Sequence, residues 1–248
     1  MTQALIGKVA VISGGSSGIG DACARALAMQ GAIVVVGYHN GRDRAEKLCA
    51  TFPGNGHMAV RIALSDSEGH SELAEMLARQ LGRVDILVNS AGYTRRIAHN
   101  NLEEMVPSVF NDMLLANVGG TFSLTRALLP LLLETNAGVV VNISSVSAFT
   151  GLGSNLAYCA AKAAIGTLTI SLARAFGPRV RFLCVSPAAV DTGFVEGRSS
   201  QELEKSALHT PLGRIVTPED VAQSVVACIT HLKTATGTSI VIDGGHSL

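Results

Sequence analysis

Residues 9–27 read VAVISGGSSGIGDACARAL. A short apolar run meets a glycine- and serine-rich turn, and an alanine-rich stretch of helical character follows. That order is strand, turn, helix. It admits two chemistries. Gly14-Gly15-Ser16-Ser17-Gly18 satisfies G-x-S-x-G, the strand-to-helix elbow that presents a nucleophilic serine in hydrolases. The glycines at 14, 18 and 20 equally suit a backbone cradle for a diphosphate, which the N–H groups and dipole of a helix start would hold. The spacing is G-x-x-x-G-x-G rather than the usual G-x-G-x-x-G of dinucleotide sites. In the cradle reading Gly14 gives the sharp exit from the strand, Gly18 and Gly20 let backbone approach the phosphates, and Ser16 and Ser17 donate hydroxyls. The remainder of the chain decides between the two.

Outward from this loop, short Val- and Ile-rich runs alternate with longer amphipathic ones. Strands are expected at 8–13, 32–37, 58–62, 85–89, 138–143, 180–185 and 239–242. Most lack strict alternation, as parallel strands covered on both faces do. Helices are expected at 18–30, 42–52, 67–81, 102–134 (as two helices), 156–176 and 218–231. Thr217-Pro218-Glu219-Asp220 has the cap, proline and acids of a helix start. The β-α-β alternation predicts an α/β fold, a doubly wound, Rossmann-type parallel sheet of seven strands with helices on both faces. A single domain, 1–248, is expected. The long irregular stretch 187–212 is expected to be a substrate loop, chiefly 188–212.

Composition narrows the class. The chain has 248 residues, 48% of them apolar, with 19 basic and 19 acidic residues and no net charge. Neutrality argues against nucleic-acid or membrane-surface partners. No apolar stretch reaches the roughly 20 residues of a membrane span, and no signal peptide is visible. Five scattered cysteines without C-x-x-C fit reduced thiols in a cytoplasm. Seven scattered histidines without H-E-x-x-H predict no metal site.

Tyr158 and Lys162, four residues apart in a helical pattern, share one face. A cation beside a phenol favours the phenolate, so the pair can serve as an acid/base. Ser144 and Ser145 follow the strand 138–143, at the carboxyl edge where α/β ligand sites form. For the hydrolase, Asp220 or Asp243 with His231 or His246 would have to complete a triad, and no His-Gly-Gly oxyanion motif precedes the loop.

Taken together, SGGSSGIG (13–20), NSAG (89–92), ANVGG (116–120), ISS (143–145), YCAAK (158–162), SPAAVDT (186–192) and ATGTSIVIDGG (235–245) resemble the short-chain dehydrogenase/reductase family over essentially the whole chain. The resemblance implies an NAD(P)(H)-dependent oxidoreductase that interconverts a small-molecule carbonyl and a secondary alcohol. It implies a catalytic set of Asn117, Ser145, Tyr158 and Lys162. Tyr158 would exchange the proton, Lys162 would lower the phenol pKa and hold the nicotinamide ribose, and Ser145 would fix the substrate oxygen. Asn117 would hold a water relaying protons from Lys162. The implied cofactor set is Gly14, Ser16, Ser17, Gly18, Ile19, Gly20, Tyr38, His39, Asn40, Leu64, Asn89, Ala91, Gly92, Tyr158, Lys162, Pro187, Val190 and Thr192. A homotetramer built on the two long helices and the terminal GGHSL is also implied.

Three positions depart from the family pattern: Ser90 for a second Asn, Ala188 for the Gly of Pro-Gly, and Ala63 for the Asp that holds adenine. At the end of the second strand the reading is VVVGYHNGRDRAEK, residues 34–47. Tyr38 stands where an NAD-selective acid would be, and Arg42, Arg44 and Lys47 are near. That favours NADP, with NAD as the alternative. Specificity is expected from 93–99, 146–155 and the substrate loop, with Tyr93, Phe149, Leu152 and Phe194 forming an apolar pocket. Arg95 and Arg96 either bind an anionic substrate or are solvated. A non-catalytic dinucleotide sensor on the same fold is the competing function, though a sensor has no need of a proton donor.

Overall fold

The computed structural model describes residues 3–248, the side chain of Ser206 excepted. Its strands are β1 (Val9–Ser13), β2 (Ile33–Tyr38), β3 (Met58–Arg61), β4 (Ile86–Asn89), β5 (Gly138–Ile143), β6 (Val180–Pro187) and β7 (Thr238–Ile242). They form one parallel sheet in the order β3-β2-β1-β4-β5-β6-β7. The order reverses between β1 and β4, the place where doubly wound sheets open a crevice at their carboxyl ends.

Both faces of the central strands are buried, which explains their unbroken apolar runs. Because successive side chains point to opposite faces, Ala10 and Ile12 enter one core while Val9 and Val11 enter the other. Ile86 and Val88 divide from Leu87 in the same way. The first core is covered by α1 (Gly18–Met29), α2 (Arg42–Cys49) and α9 (Pro218–Thr230). The second lies under α3 (Ser67–Gln80), α5 (Gly120–Glu134) and α7 (Leu156–Phe176).

The helical region expected at 102–134 is indeed two helices. It begins later than expected, with α4 (Pro107–Leu114). Pro107 forces Val106 into an extended conformation and occupies the first helical turn, where its missing N–H costs nothing. A π-helical turn, Leu115–Gly119, joins α4 to α5 and carries Asn117. Such turns cluster at functional sites. A short α6 (Ser147–Thr150) follows β5. Within the expected irregular stretch lies α8 (Ser200–Leu208), whose apolar Leu203 and Ala207 are buried. The predicted start of α9 is a full capping box: Thr217 Oγ1 accepts from Asp220 N, and Asp220 accepts from Thr217 N.

Contrary to the expectation that no segment is long and apolar enough to cross a membrane, α7 qualifies by length and mean hydropathy. In the fold its Ala157, Ala161, Ile165 and Ala173 are buried, and it packs along β6. It is a core helix carrying Lys162 and Thr169 inward.

Candidate active site

The opening loop leaves β1 with three glycines that geometry demands. Gly14 has φ +65°, and a Cβ there would meet the Ala91 backbone at 2.9 Å. A Cβ on Gly18, at φ +51°, would press on Thr192 at 3.0 Å. Gly20 is packed so tightly beneath the turn that its Cβ would lie 2.1 Å from the Gly14 carbonyl oxygen. Ser17 is the extended N-cap residue of α1, and its hydroxyl makes no capping bond. The first-turn N–H groups and both serines therefore face one cavity of about 860 Å³.

The cavity runs along the carboxyl edge of the sheet. Of the expected cofactor set, Gly14, Ser16, Ser17, Gly18, Ile19, His39, Asn40, Leu64, Ala91, Gly92, Tyr158, Lys162, Pro187, Val190 and Thr192 line it, as does Ser145. Glycine cradle, helix start and cavity volume together fit a nicotinamide dinucleotide.

Three expected residues stand elsewhere. Gly20 lies beneath the cradle. Tyr38 packs against the first core rather than facing the cavity, because β2 alternation sends it inward. Asn89 is buried at the sheet centre: its Nδ2 donates to Thr125 Oγ1 (3.1 Å) and Asn142 Oδ1 (2.8 Å). Asn142 passes the chain on to Thr169 Oγ1 (2.8 Å). Asn89 thus ties β4, β5, α5 and α7 together, while its neighbours Ser90, Ala91 and Gly92 meet the cavity.

The cations near β2 separate cleanly. Arg42 pairs with Glu46 on the outside of α2 at 2.8 Å. Arg44 instead lines the cavity, its Nε donating to the Ser16 carbonyl at 2.7 Å. The Ser16 hydroxyl lies 3.4 Å from the same guanidinium, and among the described residues no histidine bonds it. That removes the base an elbow serine needs.

At the other end, Ser145, Tyr158 and Lys162 converge. Lys162 is buried and donates from Nζ to the Ile143 carbonyl at 2.8 Å; Nζ lies 5.5 Å above the centroid of the Tyr158 ring. Burial lowers the Lys162 pKa to about 8. Burial also pushes the Tyr158 phenol up to about 12, with Ser145 and the Arg198 charge drawing it down by less. The expectation that Lys162 depresses the phenol pKa is therefore not met, because burial dominates. The ammonium sits over the ring face, bonded to a carbonyl, and burial disfavours both charged forms.

Asn117 is fully buried in the π-turn. Its amide is spent on backbone: Oδ1 accepts from Tyr93 N (2.9 Å), and Nδ2 donates to Tyr93 O (2.8 Å) and Met113 O (2.9 Å). The side chain thus pins the loop after β4 to the π-turn. Of the expected specificity residues, Tyr93, Leu152 and Phe194 line the cavity, and the Phe194 ring lies 6.0 Å from that of Tyr158. Phe149 does not line it and is exposed. Arg95 pairs with Glu104, and Arg96 with Glu202.

Sequence reasoning missed two positioning residues. Ser147 N donates to Ser145 Oγ, which donates in turn to Ser147 Oγ, both at 3.1 Å. Asn155 caps α7 by accepting from Tyr158 N (2.7 Å) and donates to Arg95 O (2.7 Å) and Thr94 Oγ1 (3.2 Å). An Asn directly before a long helical pattern was the available signal. Arg198, Glu202 and His246 also line the cavity.

A family model described as Enoyl-(Acyl carrier protein) reductase matches residues 14–247. The chain belongs to the short-chain dehydrogenase/reductase family. It is 33% identical over 252 residues to D-threitol dehydrogenase of Mycolicibacterium smegmatis, covering 98% of this chain and 94% of that protein. It is 31% identical over 245 residues to a 3-oxoacyl-[acyl-carrier-protein] reductase of Thermotoga maritima, covering 97% and 98%. The crystal structure of a 3-ketoacyl-(acyl-carrier-protein) reductase from Brucella melitensis complexed with NADH superposes with TM-score 0.89 at 29% identity, covering 98% of this chain and 100% of that one. As a short-chain dehydrogenase/reductase, the protein is an NAD(P)-dependent oxidoreductase that interconverts carbonyl and alcohol.

Proposed function

We propose that this short-chain dehydrogenase/reductase uses NADP(H) in preference to NAD(H), with Tyr158 as proton donor and acceptor. The observation that carries the reading is the convergence of Ser145, Tyr158 and Lys162 on the cavity that the glycine cradle opens. The nicotinamide, when bound, supplies or accepts the hydride at the carbonyl carbon. Ser145, held by Ser147, orients the substrate oxygen towards the Tyr158 hydroxyl. Tyr158 gives its proton to that oxygen in reduction and takes it back in oxidation. Lys162 is placed to hold the ribose hydroxyls and to favour the phenolate as it forms. Asn117 and Asn155 act as positioning residues for the loop and helix that carry these groups. The amides of 14–20 would hold the phosphates, and Ile19, Leu64, Val190 and Thr192 would enclose the nucleotide.

The NADP preference rests on Arg44 beside Ser16, with His39 and Asn40 alongside and no acid at position 38. A guanidinium recognises a 2′-phosphate through paired charge-assisted bonds. The apolar, exposed Leu115, Phe122 and Ile170 of the α4–α5 and α7 surfaces support the homotetramer. The five free cysteines support a cytoplasmic setting. Residues 1–248 act as one nucleotide-binding domain, with 188–212 as its substrate loop.

A panel of ketones and secondary alcohols with NADPH and NADH, followed at the reduced-nicotinamide band, tests the reading. NADPH should give the higher kcat/KM. Tyr158→Phe should keep cofactor binding while kcat falls by about 100-fold or more. Nucleotide binding with no turnover on any carbonyl would favour the sensor. Arg44→Ala should erase most of the NADPH preference, a loss of about ten-fold or more in the NADPH-to-NADH ratio of kcat/KM.

A further inference from the structure

The substrate loop brings a cation to the catalytic end of the cavity. Ser200 Oγ, at the start of α8, donates to Asp191 Oδ2 at 2.9 Å and so ties the ends of the segment 191–200 together. The segment is anchored upstream by the bridge between Val190 and Val216, and downstream by the buried Leu203 and Ala207. Phe194 and Arg198 of this closed loop line the same cavity as Ser145 and Tyr158.

Arg198 differs from the other arginines withdrawn from solvent. Arg83 pairs with Asp85, Arg95 with Glu104, and Arg181 donates to four carbonyls at the end of α9. Arg198 is partly buried, and its guanidinium has neither an ion-pair nor a hydrogen-bond partner among the described residues. Its nearest acid, Glu202, is engaged by Arg96 at 3.5 Å and by Ser199 N at 3.4 Å. A cation withdrawn from water without a partner is unfavourable unless something supplies the counter-charge.

We propose that Arg198 is a specificity-determining residue that binds a carboxylate on the substrate, so that the preferred substrates are oxo acids and the matching hydroxy acids. The assignment rests on the carbonyl-reductase reading above. The reacting carbonyl lies at Ser145 and Tyr158, the carboxylate is held by the guanidinium, and the Phe194 ring covers the carbon skeleton between them.

The test compares kcat/KM for matched pairs, each an oxo acid and its methyl ester, with chain length varied, in wild type, Arg198→Lys and Arg198→Gln. Wild type should prefer the acid of the best-fitting length by about ten- to a hundred-fold, the value of a charge-assisted bond. Arg198→Gln should bring the acid-to-ester ratio close to one, chiefly through KM for the acid. Arg198→Lys should restore part of the ratio. An unreactive saturated carboxylate of the same length should inhibit wild type competitively against the oxo acid, and Arg198→Gln about ten-fold more weakly. Turnover of esters and neutral ketones without acid preference, or a ratio unchanged in Arg198→Gln, overturns the assignment while leaving the oxidoreductase reading intact. Preference confined to thioesters of coenzyme A also overturns it, by placing the anion in a phosphate-bearing carrier. Absence of turnover on every carbonyl overturns both.

Discussion

Single residues in this site are set by contacts that admit little substitution. Gly20 is the sharpest case, because a methyl group there would overlap the Gly14 carbonyl oxygen. Gly20→Ala should therefore displace the turn, abolish nucleotide binding and lower stability by about 1–3 kcal/mol; cofactor titration by fluorescence and a thermal melt check both. Tyr158 makes a different prediction. With its pKa pushed up to about 12, the phenol stays protonated across the physiological range. A spectroscopic titration should show Tyr158, identified by difference against Tyr158→Phe, ionising only near pH 12. Reduction needs the protonated form, so its rate should fall only as pH rises through the phenol pKa. Oxidation needs the phenolate and should climb with pH. A nucleotide-dependent drop in that pKa would measure how far Lys162 acts once its environment changes.

At the scale of elements, the catalytic end is held by caps and turns rather than by apolar burial alone. Asn155 joins the first turn of α7 to the chain after β4. Asn155→Ala should cost about 1–2 kcal/mol as a lost cap, with more from the unsatisfied Arg95 carbonyl. Asn155→Ser keeps the capping acceptor but not the two donated bonds. Recovery of the melting temperature with kcat still depressed would separate helix capping from active-site positioning. The strands were legible in the sequence because apolar runs bounded by glycine are a local signal. The start of α4 was misplaced because the apolar pattern continues upstream of Pro107, while the conformation of Val106 is governed by proline sterics. Helix α8 was hidden among polar residues, its identity resting on only a few buried side chains.

The whole molecule stores part of its stability in a buried acid beneath the sheet. Asp85 accepts from Lys8, Arg83 and Val9 N at the amino edge of β1 and β4. Burial alone would raise its pKa, but the Arg83, Val9 and Lys8 bonds outweigh it and hold the pKa below the ordinary 3.8. Since the folded value lies below the unfolded one, this contribution is complete above about pH 4 and is lost as pH falls through the folded pKa. The melting-temperature gap between wild type and Asp85→Asn should be widest near neutrality and narrow on acidification below pH 4. Size-exclusion chromatography with light scattering should give four times the 25.7 kDa chain mass for the proposed homotetramer. Leu115→Glu with Phe122→Glu should give smaller species.

Alternating apolar runs and a glycine turn with a fixed strand-to-helix order were enough to specify the doubly wound sheet, its seven strands and the place of the glycine cradle. The motif residues were enough to nominate Ser145, Tyr158 and Lys162. Only the tertiary structure sorted the nominees. It turned Tyr38 into the core, moved Arg42 to an outer ion pair, and spent the Asn117 amide on Tyr93. It also brought Arg198 from a distant loop to the cavity that Tyr158 lines. The reason is one of range: periodicity and turn preference act over a few neighbouring residues. Burial, pKa and hydrogen-bond partners depend on atoms that meet only once the sheet is wound.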